Sequence, residues 1–272
     1  MKISLIQMNS ISDKAANIAT AARLIEEAVA SEGPDWICLP ECFDFLGGTR
    51  ADKQAAAETL PGGPAYSAMQ ALASKHRVFI HAGSILEKAE GEERIHNTTV
   101  VFDRGGAEIA RYRKIHMFDI TAPDGTQYRE SAAFKPGDTV VTYQCEDVII
   151  GCSICYDLRF PYLFEALAAK GAEMIALPAA FTLQTGKDHW EVLCRARAIE
   201  TETYFCAAAQ TGTHVIGNET RHTYGHSLVV DPWGHVTAKA SDGVGIVSTR
   251  IDRALIKKVR AQIPVAQHKV KL

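Results

Sequence analysis

Three side chains in this sequence could carry out covalent chemistry together. Cys155 closes the run Val148-Ile149-Ile150-Gly151-Cys152-Ser153-Ile154-Cys155, and Tyr156-Asp157-Leu158-Arg159 follows it. The apolar part reads as a buried strand and the polar part as a turn, with a helix beginning at 160–161. A thiol at a strand end, just ahead of a helix, is held rigidly and can face a cleft. The backbone N–H groups after it lie where a developing anion can use them. Glu41 ends a second apolar run, Trp36-Ile37-Cys38-Leu39-Pro40-Glu41, and Lys114 ends an alternating one, Ile109-Ala110-Arg111-Tyr112-Arg113-Lys114. A thiol, a carboxylate and an ammonium converging from three strand ends suit amide hydrolysis, in which a poor electrophile must be attacked and a poor leaving group protonated. Taken singly, each has a plainer reading. Cys155 would be a small core thiol, Glu41 a surface carboxylate and Lys114 a charge guarding an edge strand.

The elements that must position these residues follow from periodicity. Segments 2–8, 36–39 and 78–83 read as strands. Segments 13–29 and 64–76 read as helices, the first with Ile18, Ala22, Ile25 and Val29 at helical spacing and Ser12 or Asp13 as its cap. Segments 97–102 and 108–113 form a hairpin around Asp103-Arg104-Gly105-Gly106. A polar stretch over 116–137 is too long for a simple connection and reads as functional. Two strands then lead to Cys155. A helix over 160–170, a strand over 173–177, a helix over 188–202 and a strand over 203–210 follow. Strands at 226–230 and 235–238 pair across Asp231-Pro232-Trp233-Gly234, and a strand over 245–251 and a helix over 252–263 close the chain. Alternating β and α units imply parallel sheets covered by helices. No linker-like composition divides the 272 residues, so the expectation is a single domain over 1–272 whose C-terminal extension makes oligomer contacts.

Composition narrows the function. A hydrophobic fraction of 47% supports a sizeable core, and a net charge of −3 with no Lys/Arg run argues against a nucleic-acid partner. No apolar run approaches the ~20 residues that span a membrane, and the start shows no signal-peptide pattern. Seven cysteines, an odd number partly inside apolar segments, fit free thiols in a reducing compartment, hence a cytoplasmic protein. Cys152 and Cys155 form a Cys-x-x-Cys, but no second pair accompanies it. The ten histidines form no ligand-like pair either, so neither a metal nor another cofactor is expected.

Together the three segments, with the flanks Leu-Pro-Glu, Tyr-Arg-Lys-Ile-His and Ile-Cys-Tyr-Asp-Leu-Arg-Phe, resemble the nitrilase or carbon–nitrogen hydrolase superfamily, whose signature is a Glu, a Lys and a Cys in that order. The resemblance implies an α/β fold of a specific form: a four-layer αββα sandwich, two mixed sheets face to face with helices outside. It implies Glu41, Lys114 and Cys155 as catalytic residues. Cys155 would form a thioester, Glu41 would carry protons, and Lys114 would stabilise the oxyanion and favour the thiolate. Tyr156 would supply a second oxyanion donor through its N–H. Glu130, in the long stretch before the nucleophile, matches a second glutamate that orients Lys114 or the substrate. Arg159, Phe181 and Thr182 are candidates for substrate contact. The partners implied are a small-molecule amide and a second copy of the chain, in a homodimer or higher oligomer.

The branch is suggested by the segment His189-Trp190-Glu191-Val192-Leu193-Cys194-Arg195, by Tyr224-Gly225-His226-Ser227, and by Ile263-Pro264-Val265. These are similar to the small-amidase branch that holds deaminated glutathione amidases and ω-amidases. The function implied is an amidase releasing ammonia from the ω-amide of an α-keto acid such as deaminated glutathione. Alternatives are an ω-amidase acting on α-ketoglutaramate, a nitrilase or carbamoyl hydrolase, an acyl transferase using the same thioester, and a catalytically silent interaction module. Arg111, Arg113 and Arg129 would place positive charge at the mouth of the site, which suits an acidic substrate.

Overall fold

The apolar runs of the sequence become the inner strands of two sheets. The computed structural model describes residues 1–122, 125–216 and 219–270. Among these, one sheet has the order Gly245–Arg250, Lys2–Gln7, Trp36–Cys38, Phe79–His81, Ile95–Phe102, Ile85–Lys88, with Glu108–Arg113 also paired to Ile95–Phe102. The other runs Val236–Lys239, Leu228–Val230, Tyr204–Ala209, Met174–Ala179, Val148–Cys152, Thr142–Cys145. Each has three neighbouring parallel strands at its heart, and antiparallel strands flank them.

Side-chain alternation along the strands builds the layers. Ile3, Leu5, Trp36 and Cys38 point into a core shared with Ile150, Cys152 and Met174 of the opposite sheet. Their neighbours Ile6, Ile37 and Leu39 point the other way, onto Leu24 and Ile25 of the Lys14–Glu32 helix and Tyr66 and Met69 of Pro64–His76. On the far side, Pro161–Ala169 and Leu183–Thr201 cover the second sheet through Phe164, Leu167, Trp190 and Cys194. The result is the αββα sandwich. A buried polar bridge ties the two sheets: the Trp36 indole donates to the Tyr143 hydroxyl at 2.8 Å, and His81 Nδ1 lies 3.1 Å from the same oxygen. Burial holds the His81 imidazole neutral, with its pKa pushed down to about 3.

The Asp13 carboxylate caps the first helix by accepting from the Ala16 N–H at 3.0 Å, as its sequence suggests. Pro64–His76 has the expected bounds, while Leu183–Thr201 begins five residues before the expected 188. Four elements were not expected: the short helix Arg50–Ala56, the strand Ile85–Lys88, the hairpin Thr211–Ile216 with Glu219–Tyr224, and the one-turn helix Val265–His268. The 116–137 stretch folds into a small hairpin, Asp119–Thr121 with Gln127–Arg129, followed by a 3₁₀ turn at Glu130–Ala132. Among the described residues no helix is long and apolar enough to cross a membrane.

Candidate active site

Parallel strands in an α/β sheet direct their carboxyl ends to one edge, and that edge is where the side chains of interest meet. Glu41 follows Trp36–Cys38, Cys155 follows Val148–Cys152, Ala180 to Thr182 follow Met174–Ala179, and Gln210 follows Tyr204–Ala209. The turn into Glu41 needs a neighbour without a side chain. Gly83 has a φ of +41°, and a Cβ on it would lie 2.0 Å from the Pro40 carbonyl oxygen.

Glu41 and Lys114 are 4% and 2% exposed, and they pair directly: Lys114 Nζ lies 3.0 Å from Glu41 Oε1. Asn97 Nδ2 donates to the same oxygen at 2.8 Å, and the Ala180 N–H donates to Oε2 at 2.8 Å. Gln210 Nε2 donates to the Glu41 carbonyl at 3.0 Å. Every donor around the Glu41 side chain is thus fixed by a different element. Lys114 Nζ also donates to both oxygens of Glu130, at 2.8 and 2.9 Å, and the Phe118 N–H donates to Glu130 Oε2 at 2.5 Å. The sequence-expected second glutamate is therefore in place, carried by the 3₁₀ turn after the small hairpin. The Asp119 carboxylate braces that turn by accepting from the Ser131 N–H at 3.0 Å.

Cys155 opens a 3₁₀ turn over Cys155–Arg159 with a φ of +46°, a conformation that costs about 1–3 kcal/mol for a residue with a side chain. Asp157 holds that turn. Its fully buried carboxylate accepts from the Ile154 N–H at 2.8 Å and the Tyr112 hydroxyl at 2.6 Å on one oxygen, and from the His116 N–H at 3.1 Å and ring Nδ1 at 2.6 Å on the other. One carboxylate thereby ties the Cys155 turn to the strand and loop that carry Lys114. The ladder of the turn starts at the Asp157 N–H, bonded to the Ile154 carbonyl, which leaves the Tyr156 N–H outside it.

Electrostatics set the resting protonation. Burial works against the Lys114 charge, yet Glu130 and Glu41 hold its pKa well above the ordinary amine value. Burial raises Glu130, with Lys114 opposing. The Cys155 thiol is pushed well above the usual thiol range by burial and then by Glu41, and Lys114 only partly offsets them. Lys114 acts in the expected direction, toward the thiolate, but burial and Glu41 outweigh it. Burial and Glu41 together therefore favour the protonated thiol in the resting site.

These groups line a cavity of about 310 Å³, with Tyr156, Phe181 and Thr182 as expected. Phe181 packs on Trp190, ring centroids 5.2 Å apart, and the Thr182 hydroxyl pairs with Thr185 at 2.7 Å. Arg159 is not among the lining residues. Its guanidinium lies 3.2 Å from His189 Nδ1 and 5.3 Å from the centre of the Phe181 ring, behind the pocket wall. The basic mouth also differs from expectation. Arg111 is engaged by both oxygens of Glu108 and Arg113 by both of Glu87, and neither lines the cavity. Arg129 does, together with Lys53, Arg221 and His222.

Against this geometry the relatives can be set out. The carbon-nitrogen hydrolase family matches residues 2–261. A protein named deaminated glutathione amidase from Synechocystis is 40% identical over 268 residues, 97% of this chain and 96% of that protein. The Homo sapiens protein of that name is 40% identical over 98% of this chain and 81% of its own. Among solved structures, Nit3 of Saccharomyces cerevisiae, described as a member of branch 10 of the nitrilase superfamily, superimposes with a TM-score of 0.88 at 31% identity, covering 98% of this chain and 96% of that one. The NitFhit protein of C. elegans gives 0.91 at 37%; the chain spans 98% of itself but 64% of that longer protein.

The chain belongs to the carbon–nitrogen hydrolase family.

In this carbon–nitrogen hydrolase, sequence reasoning missed the supports more than the reacting groups. Asn97 and Gln210 sit inside runs that read only as strand, although a buried amide in such a run signals a partner to be satisfied. Lys53, Arg221 and His222 come from the unexpected helix and hairpin. Among the described residues, no group of three or more His, Cys, Asp or Glu is placed to hold a metal ion.

Proposed function

We propose that the protein is an amidase that cleaves the ω-amide of an α-keto acid through a thioester on Cys155, with deaminated glutathione as the preferred substrate and α-ketoglutaramate second. The observation that carries this reading is the buried Glu41–Lys114–Glu130 cluster opening with Cys155 onto one cavity. Glu41 takes the thiol proton as sulfur bonds to the amide carbon. The tetrahedral oxyanion is met by Lys114 and the Tyr156 N–H, and one such donor is worth about 2.7–4 kcal/mol in the transition state. The C–N bond breaks, protonated Glu41 gives its proton to the departing amine, and the acyl group remains on sulfur. Glu41 then deprotonates water for attack on the thioester, which releases the acid and returns the thiol. With α-ketoglutaramate the departing amine is ammonia. The ω-amide nitrogen of deaminated glutathione carries the cysteinylglycine portion, so that dipeptide leaves instead.

The names borne by relatives at 40% identity support the substrate class, and so do the cationic side chains lining the cavity. The test is a panel of deaminated glutathione, α-ketoglutaramate, simple nitriles and carbamoyl amides, scored by acid and amine product with wild type and Cys155→Ala. Faster turnover of nitriles than of any amide refutes the reading.

Two further expectations belong to this proposal. All seven cysteines are unpaired, in keeping with a reducing, cytoplasmic location. Tyr162, Val192 and Ile199 are 61%, 67% and 49% exposed on the outer helices Pro161–Ala169 and Leu183–Thr201. Such a face fits pairing with a second copy, and light scattering showing only a monomer at micromolar concentration would remove that expectation.

A further inference from the structure

Lys53 stands apart from the other cations of the cavity. It sits on Arg50–Ala56, a helix fixed at its start by reciprocal bonds between Thr49 and Asp52, and tied outward through Arg50 to Glu93 at 3.4 Å and Gln54 to the Glu93 carbonyl at 2.5 Å. While those neighbours bond toward solvent, Lys53 turns in and lines the cavity. Lys114 is engaged by Glu41 and Glu130, and Arg221 by Glu219 at 2.8 Å and the Tyr128 ring at 4.4 Å. Among the described residues no carboxylate or carbonyl pairs with Lys53. Its electrostatic neighbours are the Cys42 thiol, Arg221 and Glu130, the last already bonded to Lys114. Burial lowers its pKa from the ordinary amine value and outweighs the opposing pull of Cys42 and Glu130.

A cation that is partly desolvated and makes no ion pair costs free energy in the empty enzyme and recovers it when an anion arrives. We propose that Lys53 is the receptor for the free carboxylate on the acyl half of the substrate, and that it sets the preference for acidic ω-amides over neutral ones. This rests on the amidase reading above and assigns that preference to one side chain. An anchor on the acyl half acts through both steps, because the acyl group stays on Cys155 after the amine has left. Arg221 and Arg129 add positive potential on the same cavity, but Arg221 is held by Glu219 and Arg129 is exposed, so the pairing itself falls to the half-buried Lys53, which makes no ion pair among the described residues.

The experiment measures kcat and KM for α-ketoglutaramate and for its methyl ester, in wild type, Lys53→Gln and Lys53→Arg. The ester keeps the amide and removes the charge. A lost charge-assisted bond predicts that Lys53→Gln lowers kcat/KM for the free acid by about 10–100-fold, mainly through KM. Turnover of the ester should be unchanged, which also shows that the variant is folded, and Lys53→Arg should recover part of the loss. If wild type prefers the acid and Lys53→Gln keeps that preference, the anchor is elsewhere and the amidase reading stands. If both substrates suffer equally in Lys53→Gln, Lys53 is structural and the proposal is overturned. If wild type shows no preference for the acid, both the proposal and the acidic-substrate reading fall.

Discussion

Glu41→Gln is the most direct test of how this site works, because the structure says what the change removes. Glu41 Oε1 receives Lys114 Nζ at 3.0 Å and Asn97 Nδ2 at 2.8 Å, and Oε2 receives the Ala180 N–H at 2.8 Å. Gln nearly conserves volume but has one acceptor atom. Turning its amide nitrogen toward an ammonium is the worse choice, so the amide oxygen stays with Lys114 and Asn97. The NH₂ then faces the Ala180 N–H, and a buried donor loses its acceptor. That costs about 1–3 kcal/mol of stability, equivalent to about 2–4 °C in Tm per kcal/mol for a chain near this size. The chemical loss is larger. Without a base, the thiol, which burial and the Glu41 charge keep protonated, has no local acceptor for its proton. One acid–base group contributes about 10²–10⁴ in rate, or about 2.7–5.5 kcal/mol of barrier. The assay is acid and amine release under single turnover, with intact-protein mass spectrometry to look for acyl enzyme. The expected result is a folded variant, a few degrees less stable, slow in both acylation and hydrolysis. A variant that keeps more than about a tenth of wild-type kcat would refute Glu41 as the proton carrier. Rapid accumulation of a thioester would confine its role to the second step.

Cys155→Ala should fold and lose turnover by several orders of magnitude, whereas Cys152→Ala, at a fully buried strand position, should keep most activity at some cost in Tm; equal activity losses would undo the assignment of the nucleophile. Lys114→Ala should depress kcat more than KM, since its service is to the oxyanion, and it should also destabilise the fold by leaving Glu41 and Glu130 buried without their cation; a rise in KM alone would make Lys114 a binding residue. Because burial and Glu41 raise the Cys155 thiol, inactivation by iodoacetamide should keep accelerating from about pH 7 to 9; a plateau below about pH 7 would reveal a preformed thiolate and overturn that reading. Activity should survive chelator treatment and dialysis, and restoration by added zinc after a loss would contradict the thiol mechanism.

Much of the site was legible in the sequence because Glu41, Lys114 and Cys155 follow strands, and strands here announce themselves as apolar runs. Val148 to Cys152 and Trp36 to Cys38 are buried on both faces, so hydrophobicity located them and the first polar or reactive residue after each was the candidate. Helix ends were similarly local: Asp13 and Pro64 mark starts by chemistry that acts within one turn. What the sequence left open was contact between distant segments. Arg111, Arg113 and Arg129 look alike in the chain, yet two are consumed by Glu108 and Glu87 while the third reaches the cavity. Charge alone does not say which face of a strand or which neighbour a residue will meet. The Arg50–Ala56 helix is short and has no buried residue, and the Thr211–Tyr224 hairpin alternates without a clear apolar face. Periodicity therefore had nothing to detect, although these elements supply Lys53, Arg221 and His222. The balance that keeps Cys155 protonated is likewise a tertiary property. It depends first on burying the thiol and then on setting Glu41 beside it, with Lys114, 73 positions from Glu41, only partly opposing them, out of water, where each charge counts for far more than on the surface.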